Sequence, residues 1–150
     1  MESTLQRSLL DTNILVYAIN PNAPFHIPCK ILVERALDGK YPAYLAHQNL
    51  MELYAVVTDK RRVEHPLNPE EANGLLEFYL STDNLTIIYP NPPTFTLLRD
   101  LISLHSPLSH GIFDLMLVAL MKQYDIPVIH TLNTRHFKSF QGITAISPIP

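Results

Sequence analysis

Short apolar runs along the chain alternate with longer segments in which apolar residues recur at helical spacing. Residues 8–10 and 43–46 are short apolar runs typical of buried strands. Residues 85–89 and 127–131 are rich in β-branched side chains and also predict strands. Residues 142–146 predict a fifth strand at an edge of the sheet.

The segments between these strands have the spacing, breakers and end signals of helices. The predicted helices span residues 14–19, 26–37, 48–59, 68–80 and 94–105, and a last one opens at Asp114. Strands that alternate with helices predict a mainly parallel sheet of four to five strands, with helices on both faces. The predicted fold class is therefore α/β, a three-layer α/β/α sandwich. The sequence contains no internal repeat or linker, so residues 1–150 are expected to form a single domain.

Composition narrows the possible partners. The net charge of −3 gives no overall basic surface for tight non-specific binding of nucleic acid, although a local basic patch is compatible with it. The single cysteine, Cys29, excludes an intrachain disulfide and indicates a reducing compartment. The first residues are polar, and no apolar run reaches membrane-spanning length. We therefore expect a soluble, cytoplasmic protein without a membrane partner.

Asp114 is a charged residue in the most apolar stretch of the chain, residues 112–121. An ionised carboxylate beside such a core is costly unless a partner compensates for the lost hydration. No Lys or Arg lies within a helical turn of Asp114 in the sequence. A metal ion shared with other acids would be such a partner. The alternative is that Asp114 occupies the helix N-terminus, where backbone N–H groups and the helix dipole favour an anion.

Three further polar residues are predicted to lie near Asp114, because ligands of open parallel sheets bind beyond the carboxyl ends of the strands. Asp11 follows the first strand and Asn133 follows the fourth, whereas Glu52 lies one turn into the helix after the second strand. Each also has a simpler explanation. Asp11 could cap a helix, Glu52 could be solvated, and Asn133 could be a turn residue.

Clustered carboxylates repel one another and require a cation if all are to stay ionised. Oxygen ligands of this kind select Mg²⁺ or Mn²⁺, which can polarise a phosphoryl oxygen and activate water. The chain has four glycines and no glycine-rich phosphate loop, so phosphodiester hydrolysis is favoured over nucleotide binding. We predict Asp11, Glu52 and Asp114 as metal ligands and catalytic residues, with Asn133 as a fourth catalytic residue.

Four segments in this order resemble the motifs of PIN-domain ribonucleases, in particular the VapC-like toxins. Residues 10–18 are similar to the opening motif, residues 49–54 to the glutamate-bearing motif, residues 113–119 to the third and residues 130–137 to the fourth. The four segments together extend over nearly the whole chain, and their order makes the resemblance more specific than any one of them.

The resemblance implies a PIN fold, RNA cleavage with Mg²⁺ or Mn²⁺, homodimerisation, and neutralisation by a cognate antitoxin protein. The chain would then be the toxin of a type II toxin–antitoxin pair. Asp11, Glu52 and Asp114 match the acidic metal positions of the family. Asn133 is neutral where many relatives have an acid, so it could accept a hydrogen bond from metal-bound water but adds no charge. This difference favours an alternative function, a PIN-like domain that binds RNA or protein without cleaving.

Candidate substrate-binding residues come from the first and fourth motifs and from the basic residues near the predicted rim. We expect Asn13, Thr131, Arg135 and Lys138 to contact the substrate. The basic segment 60–62 is instead expected to stabilise a helix C-terminus and to be solvated. A phosphotransfer fold is disfavoured, because Asn13 stands where a haloacid-dehalogenase-like phosphatase needs its second acid and no acid pair typical of a receiver domain is evident.

Overall fold

A computed structural model of the protein describes residues 5–149, which form a five-stranded sheet with helices on both faces. The strands are β1 (Ser8–Leu10), β2 (Ala43–Ala46), β3 (Leu85–Ile88), β4 (Val128–His130) and β5 (Thr144–Ile146). Their spatial order is β3-β2-β1-β4-β5, and every neighbouring pair is parallel. The predicted parallel sheet is confirmed, and the fifth strand does lie at an edge.

Six α-helices and one short 3₁₀ helix connect the strands in the described part of the chain. They are α1 (Thr12–Ile19), α2 (His26–Leu37), α3 (His47–Val57), α4 (Pro69–Ser81), α5 (Pro92–His105), α6 (Gly111–Gln123) and the 3₁₀ helix Thr134–Phe137. None of the helices between residues 5 and 149 is both long enough and apolar enough to cross a membrane.

Two apolar cores lie on opposite faces of the sheet. Successive strand residues point to opposite faces, so the neighbours Leu9 and Leu10 of β1 enter different cores. Leu10 packs in the core formed with helices α1 to α4, whereas Leu9 packs in the core formed with α5 and α6. This arrangement confirms the predicted three-layer α/β/α sandwich.

Helix α6 explains the most apolar stretch of the sequence. Residues 117–121 are each 2% exposed or less, since this part of the helix lies in the core against the sheet. Burial of a Leu or Met side chain stabilises a fold by about 1.5–3 kcal/mol. The buried part of α6 therefore anchors the helix, and Asp114 lies nearer its N-terminal end.

Three helix boundaries differ from the prediction by two residues. Helix α1 begins at Thr12 rather than at Ile14. Helix α5 begins at Pro92 rather than at Thr94, because proline fits the first helical turn, where the missing N–H needs no partner. Helix α3 ends at Val57 rather than at Asp59, so the basic segment 60–62 lies in the following turn.

Candidate active site

Asp11 lies at the point where β1 ends and α1 begins. One carboxylate oxygen, Oδ1, accepts a 2.8 Å hydrogen bond from the backbone N–H of Thr12 and so caps α1. The other oxygen, Oδ2, accepts a 2.8 Å hydrogen bond from the hydroxyl of Thr131, which follows β4. The two possible roles of Asp11 are therefore compatible, since the residue caps a helix and also lines a cleft at the sheet edge.

The side chain of Asp11 is held by a hydrogen-bond network that includes Thr131 and Asn13. Asn13 accepts a hydrogen bond from the backbone of Leu132 (3.2 Å) and donates one to the Thr131 hydroxyl (3.3 Å). The backbone N–H of Asn133 donates to the same hydroxyl at 3.0 Å. Thr131 is fully buried. This burial corrects the expectation of a direct substrate contact from Thr131, whose hydroxyl instead orients Asp11.

Glu52 is held by a second set of hydrogen bonds that links β2, α3 and α1. The Thr12 hydroxyl donates to Glu52 Oε2 at 2.8 Å. Asn49 Nδ2 donates to the same hydroxyl at 3.0 Å, and Asn49 Oδ1 accepts a hydrogen bond from the backbone of Ala46 at 2.9 Å. Glu52 is thus half-buried with a fixed partner rather than a solvated helix residue.

Thr12 and Asn49 were not among the predicted site residues. Asn49 is fully buried and lies one turn before Glu52 on the same face of α3. A polar side chain buried in an apolar helix requires a hydrogen-bonding partner. The Asn-x-x-Glu spacing on this helix was the signal in the sequence that could have identified Asn49.

Asp114 lies in the first turn of α6, but it is not the N-cap, which is His110. Its side chain is 34% exposed, and Oδ2 lies 3.3 Å from Nδ1 of His136, which forms an ion pair when the imidazole is protonated. Asp114 therefore has the first-turn position in which the helix dipole favours an anion, and its side-chain partner is His136 of the 3₁₀ helix. The sequence around Asp114 does not indicate this partner, because His136 lies beyond the rest of α6 and the whole of β4.

The four predicted catalytic residues line one open cleft of about 1090 Å³ at the carboxyl edge of the sheet. Other residues that line it are Thr12, Asn13, Val16, Tyr17, Ala55, Val56, Arg62, His110, Gly111, Phe113 and His136. The acids that the sequence separates by up to about a hundred positions therefore share one cavity. Across residues 5–149, however, no group of three or more Asp, Glu, His or Cys side chains is spaced as a formed metal centre.

A comparison with known families decides what kind of domain carries this cleft. The family model of the PIN domain matches residues 8–142. The chain belongs to the PIN domain family. The predicted resemblance is thereby confirmed.

Relatives of this PIN domain include curated and structurally characterised proteins. It is 30% identical to Ribonuclease VapC48 of Mycobacterium tuberculosis over 138 residues, which cover 92% of this chain and 94% of the relative. It superposes on the Sarcin-Ricin loop cleaving toxin VapC20 of M. tuberculosis with a TM-score of 0.61 at 18% identity, covering 81% of this chain and 86% of the other. A toxin–antitoxin complex from Klebsiella pneumoniae gives a TM-score of 0.62 at 15% identity, with coverage of 94% and 97%. These two solved structures share the fold.

The electrostatics of the cleft place three acids in an unfavourable environment. Burial raises the pKa of Asp11, and the charge of Asp114 raises it further against the opposing hydrogen bond from Thr131. Burial raises the pKa of Glu52 as well, with smaller contributions in the same direction from the charges of Asp11 and Asp114. Burial also raises the pKa of Asp114, and His136 opposes this shift. The ionised forms of the three acids are therefore destabilised mainly by burial, and those of Asp11 and Glu52 also by neighbouring negative charge.

The donor set of this PIN domain fits a hard divalent cation. Within residues 5–149, none of the three carboxylates forms an ion pair with Lys or Arg. Carboxylate oxygens are the ligands that Mg²⁺ and Mn²⁺ prefer, and a cation would relieve the mutual repulsion of the three acids. Asp11, Glu52 and Asp114 are the residues that would hold such an ion.

The basic residues are distributed differently from the prediction. Arg62 lines the cleft, although the segment 60–62 was expected only to stabilise a helix end. Arg61 instead forms a two-point ion pair with Asp59, with nitrogen–oxygen distances of 3.0 Å. Arg135 and Lys138 are exposed, and neither belongs to the residues that line the cleft. Arg62 is therefore better placed than either of them to contact a substrate in the cleft.

Proposed function

We propose that this protein is a metal-dependent endoribonuclease that hydrolyses RNA phosphodiester bonds and acts as the toxin of a type II toxin–antitoxin pair. The observation that carries the proposal is the convergence of Asp11, Glu52 and Asp114 in one open cleft of a PIN domain. The identity of 30% to a protein named as a ribonuclease supports the same reaction class.

The proposed cofactor is Mg²⁺ or Mn²⁺, held by Asp11, Glu52 and Asp114. When bound, such an ion polarises a phosphoryl oxygen and lowers the pKa of a coordinated water. Asn133 can accept a hydrogen bond from a water molecule at this site without adding charge. Arg62 lines the same cleft as the carboxylates and can bind a phosphate of the RNA there.

The chain's own hydrogen bonds supply the orientation that this chemistry needs. Thr131 holds one oxygen of Asp11, and Thr12 holds one oxygen of Glu52. Groups that orient metal ligands commonly change metal affinity or activity by about 10- to 100-fold when they are removed. The two threonines are therefore positioning residues of the proposed site.

The test is cleavage of single-stranded RNA by the purified protein during a titration with Mg²⁺ or Mn²⁺. We expect cleavage to require the metal, and Asp11→Asn or Asp114→Asn to lower kcat/KM by at least about 100-fold, since metal assistance contributes several kcal/mol. Asp100→Asn is the matched control, because Asp100 is exposed on α5 and does not line the cleft. Cleavage that persists in excess EDTA would exclude the metal mechanism.

The proposed partners are RNA, a cognate antitoxin protein and a second copy of the chain, and the proposed location is the cytoplasm. The neighbour from K. pneumoniae is a toxin–antitoxin complex, which supports an antitoxin as partner. Cys29 is a free, buried thiol, as expected in a reducing compartment. Co-expression with the product of a small neighbouring open reading frame tests the antitoxin, and sedimentation velocity tests the homodimer.

A second candidate function is a PIN domain that binds RNA or protein without cleaving it. The observation that favours it is the neutral Asn133 in a cleft whose acids are not spaced as a formed metal centre within residues 5–149. RNA binding without detectable turnover in Mn²⁺ would decide for this candidate. Turnover that is lost in Asp114→Asn would decide against it.

A further inference from the structure

The cleft contains an exposed aromatic pair that the metal chemistry does not use. The rings of His110 and Phe113 are stacked, with centroids 5.9 Å apart and planes inclined by 23°. Phe113 is 49% exposed, and both rings line the same cleft as the carboxylate of Asp114, the next residue after Phe113. A half-exposed phenyl ring beside clustered acids therefore offers an apolar, flat surface next to the proposed reaction site.

The backbone under this pair is held to the helix that carries Glu52. Gln48 of α3 donates a hydrogen bond of 3.1 Å from its side-chain amide to the carbonyl oxygen of Phe113. Gln48 is buried, and the N–H of Phe113 donates to the carbonyl of His110 at 3.1 Å. The position of the Phe113 backbone is thus coupled to α3, so a ligand on the ring would be held at a defined place relative to the acids.

The rest of the cleft wall is also more aromatic than basic. Tyr17 of α1 lines the cleft and stacks on Phe25, with ring centroids 6.4 Å apart and planes inclined by 14°. Arg62 is the only Lys or Arg among the described residues that line the cleft. A ligand of this cleft therefore gains little from charge neutralisation and more from flat apolar contact.

Single-stranded RNA has the complementary chemistry. An unpaired base can leave its neighbours and stack on an aromatic side chain, whereas the faces of paired bases are covered within a duplex. Stacking of this kind tolerates any base, because every base has a π-face. Within the cleft, Arg62 offers a contact for a phosphate and Phe113 offers a flat surface for an unpaired base.

We propose that Phe113, supported by His110, is a base-stacking subsite that takes an unpaired nucleobase beside the scissile phosphate. The choice of RNA as the ligand rests on the proposed ribonuclease function. The subsite binds and positions the substrate, and the carboxylate cleft carries out the reaction.

The first test measures binding without cleavage. A short single-stranded RNA that contains the fluorescent base 2-aminopurine is titrated with the Asp11→Asn protein in EDTA, since stacking quenches this base. We expect Phe113→Ala and Phe113→Leu to raise Kd by about 5- to 100-fold and to remove the quenching. Phe113→Tyr keeps the π-face and should retain both. Phe95→Ala is the control, because Phe95 is equally exposed, at 50%, but lies on α5 outside the cleft.

The second test measures cleavage by the otherwise unaltered protein, using substrates with one abasic site at each position in turn. We expect one abasic position to lower kcat/KM as much as Phe113→Ala does, and the two changes together to cost no more than either alone. In the first test, quenching that is unchanged in the Phe113 variants would overturn the subsite. An absence of quenching by the Asp11→Asn protein that retains Phe113 would overturn it as well.

The two proposals fail in different ways. Cleavage that requires metal but is insensitive to every abasic site would leave the ribonuclease and overturn the subsite. Quenching that depends on Phe113, in a protein that cuts no RNA with any divalent metal, would support the subsite and overturn the nuclease. An unchanged Kd for RNA combined with an altered sedimentation coefficient in Phe113→Ala would assign the ring to a protein interface and overturn the subsite.

Discussion

The hydroxyl of Thr12 donates a 2.8 Å hydrogen bond to Oε2 of Glu52, across a separation of 40 residues in the chain. The same hydroxyl accepts a hydrogen bond from Asn49, so its proton is directed toward the carboxylate. Thr12 thereby joins the start of α1 to the second turn of α3 and fixes one acid of the cleft.

Replacement of Thr12 by valine should weaken the proposed metal site. Thr12→Val keeps the shape of the buried side chain but removes the donor to Glu52 and the acceptor for Asn49. We expect metal affinity to fall by about 10- to 100-fold. The loss of a partner for the buried Asn49 amide should also destabilise the fold by about 1–3 kcal/mol. Calorimetric metal titration and thermal unfolding measure the two effects.

Thr12→Ser is the matched control, because serine retains the hydroxyl. Metal affinity restored to the parent value in the serine variant is the expected outcome. Equal metal affinities for the valine and serine variants would show that the hydroxyl does not position Glu52.

Removal of the Thr131 hydroxyl should shift the pH dependence of cleavage. The hydrogen bond from Thr131 lowers the pKa of Asp11 against the larger effect of burial. Thr131→Val should therefore raise the pKa of Asp11 further, because the ionised form loses a donor. Since the proposed mechanism uses ionised Asp11, the acidic limb of kcat/KM against pH should move to higher pH. Thr131→Ser should leave the limb in place, and an unmoved limb in both variants would contradict this role.

The acids of the cleft should reduce stability at neutral pH when no metal is present. Burial, followed by the charges of Asp11 and Asp114, raises the pKa of Glu52 above its ordinary value of 4.5. The folded protein then holds this proton more tightly than the unfolded chain, so stability falls as pH rises from the unfolded to the folded pKa. At higher pH, ionised Glu52 lowers the free energy of unfolding by its full amount.

Glu52→Gln should therefore unfold at a higher temperature than the parent at pH 7 in EDTA. The expected rise is a few degrees, at roughly 2–4 °C for each kcal/mol in a chain of this length. The difference should shrink as the pH falls below 4.5, where both states of the parent protonate Glu52. Added Mn²⁺ should stabilise the parent more than the variant. Calorimetry over a pH series measures these shifts, and a less stable Glu52→Gln protein at pH 7 would refute the argument.

Arg62 and Arg61 should differ in their effect on RNA binding although they are neighbours. Arg62 lines the cleft, whereas the guanidinium of Arg61 is paired with Asp59. Arg62→Ala should weaken RNA binding and reduce the slope of log affinity against log salt by about 0.7, the value for one phosphate contact on a single strand. Arg61→Ala should change neither quantity. Equal effects of the two substitutions would place the RNA outside the proposed cleft.

The local pattern of apolar and polar residues was sufficient to predict most of the fold. The bounds of β2 and α2 agree with the prediction, because apolar spacing and the flanking Pro and Gly residues act within a few positions. The convergence of Asp11, Glu52 and Asp114 on one cleft also followed from the sequence. Parallel strands place their carboxyl ends at one edge. Asp11 and Glu52 were assigned to that edge by their positions after a strand, and Asp114 by its position at the start of a helix.

The tertiary structure alone determined how these acids are held. Thr12 reaches Glu52, Thr131 reaches Asp11, and His136 reaches Asp114. A hydrogen bond forms only within a few tenths of an ångström of its preferred length, so its partners depend on how elements distant in sequence are oriented. Apolar periodicity specifies which face of an element is buried, but it carries no information on which polar side chain lies opposite. The sequence by itself thus determined the layers and the edge at which the acids meet, and only packing between distant elements decided the partner of each acid.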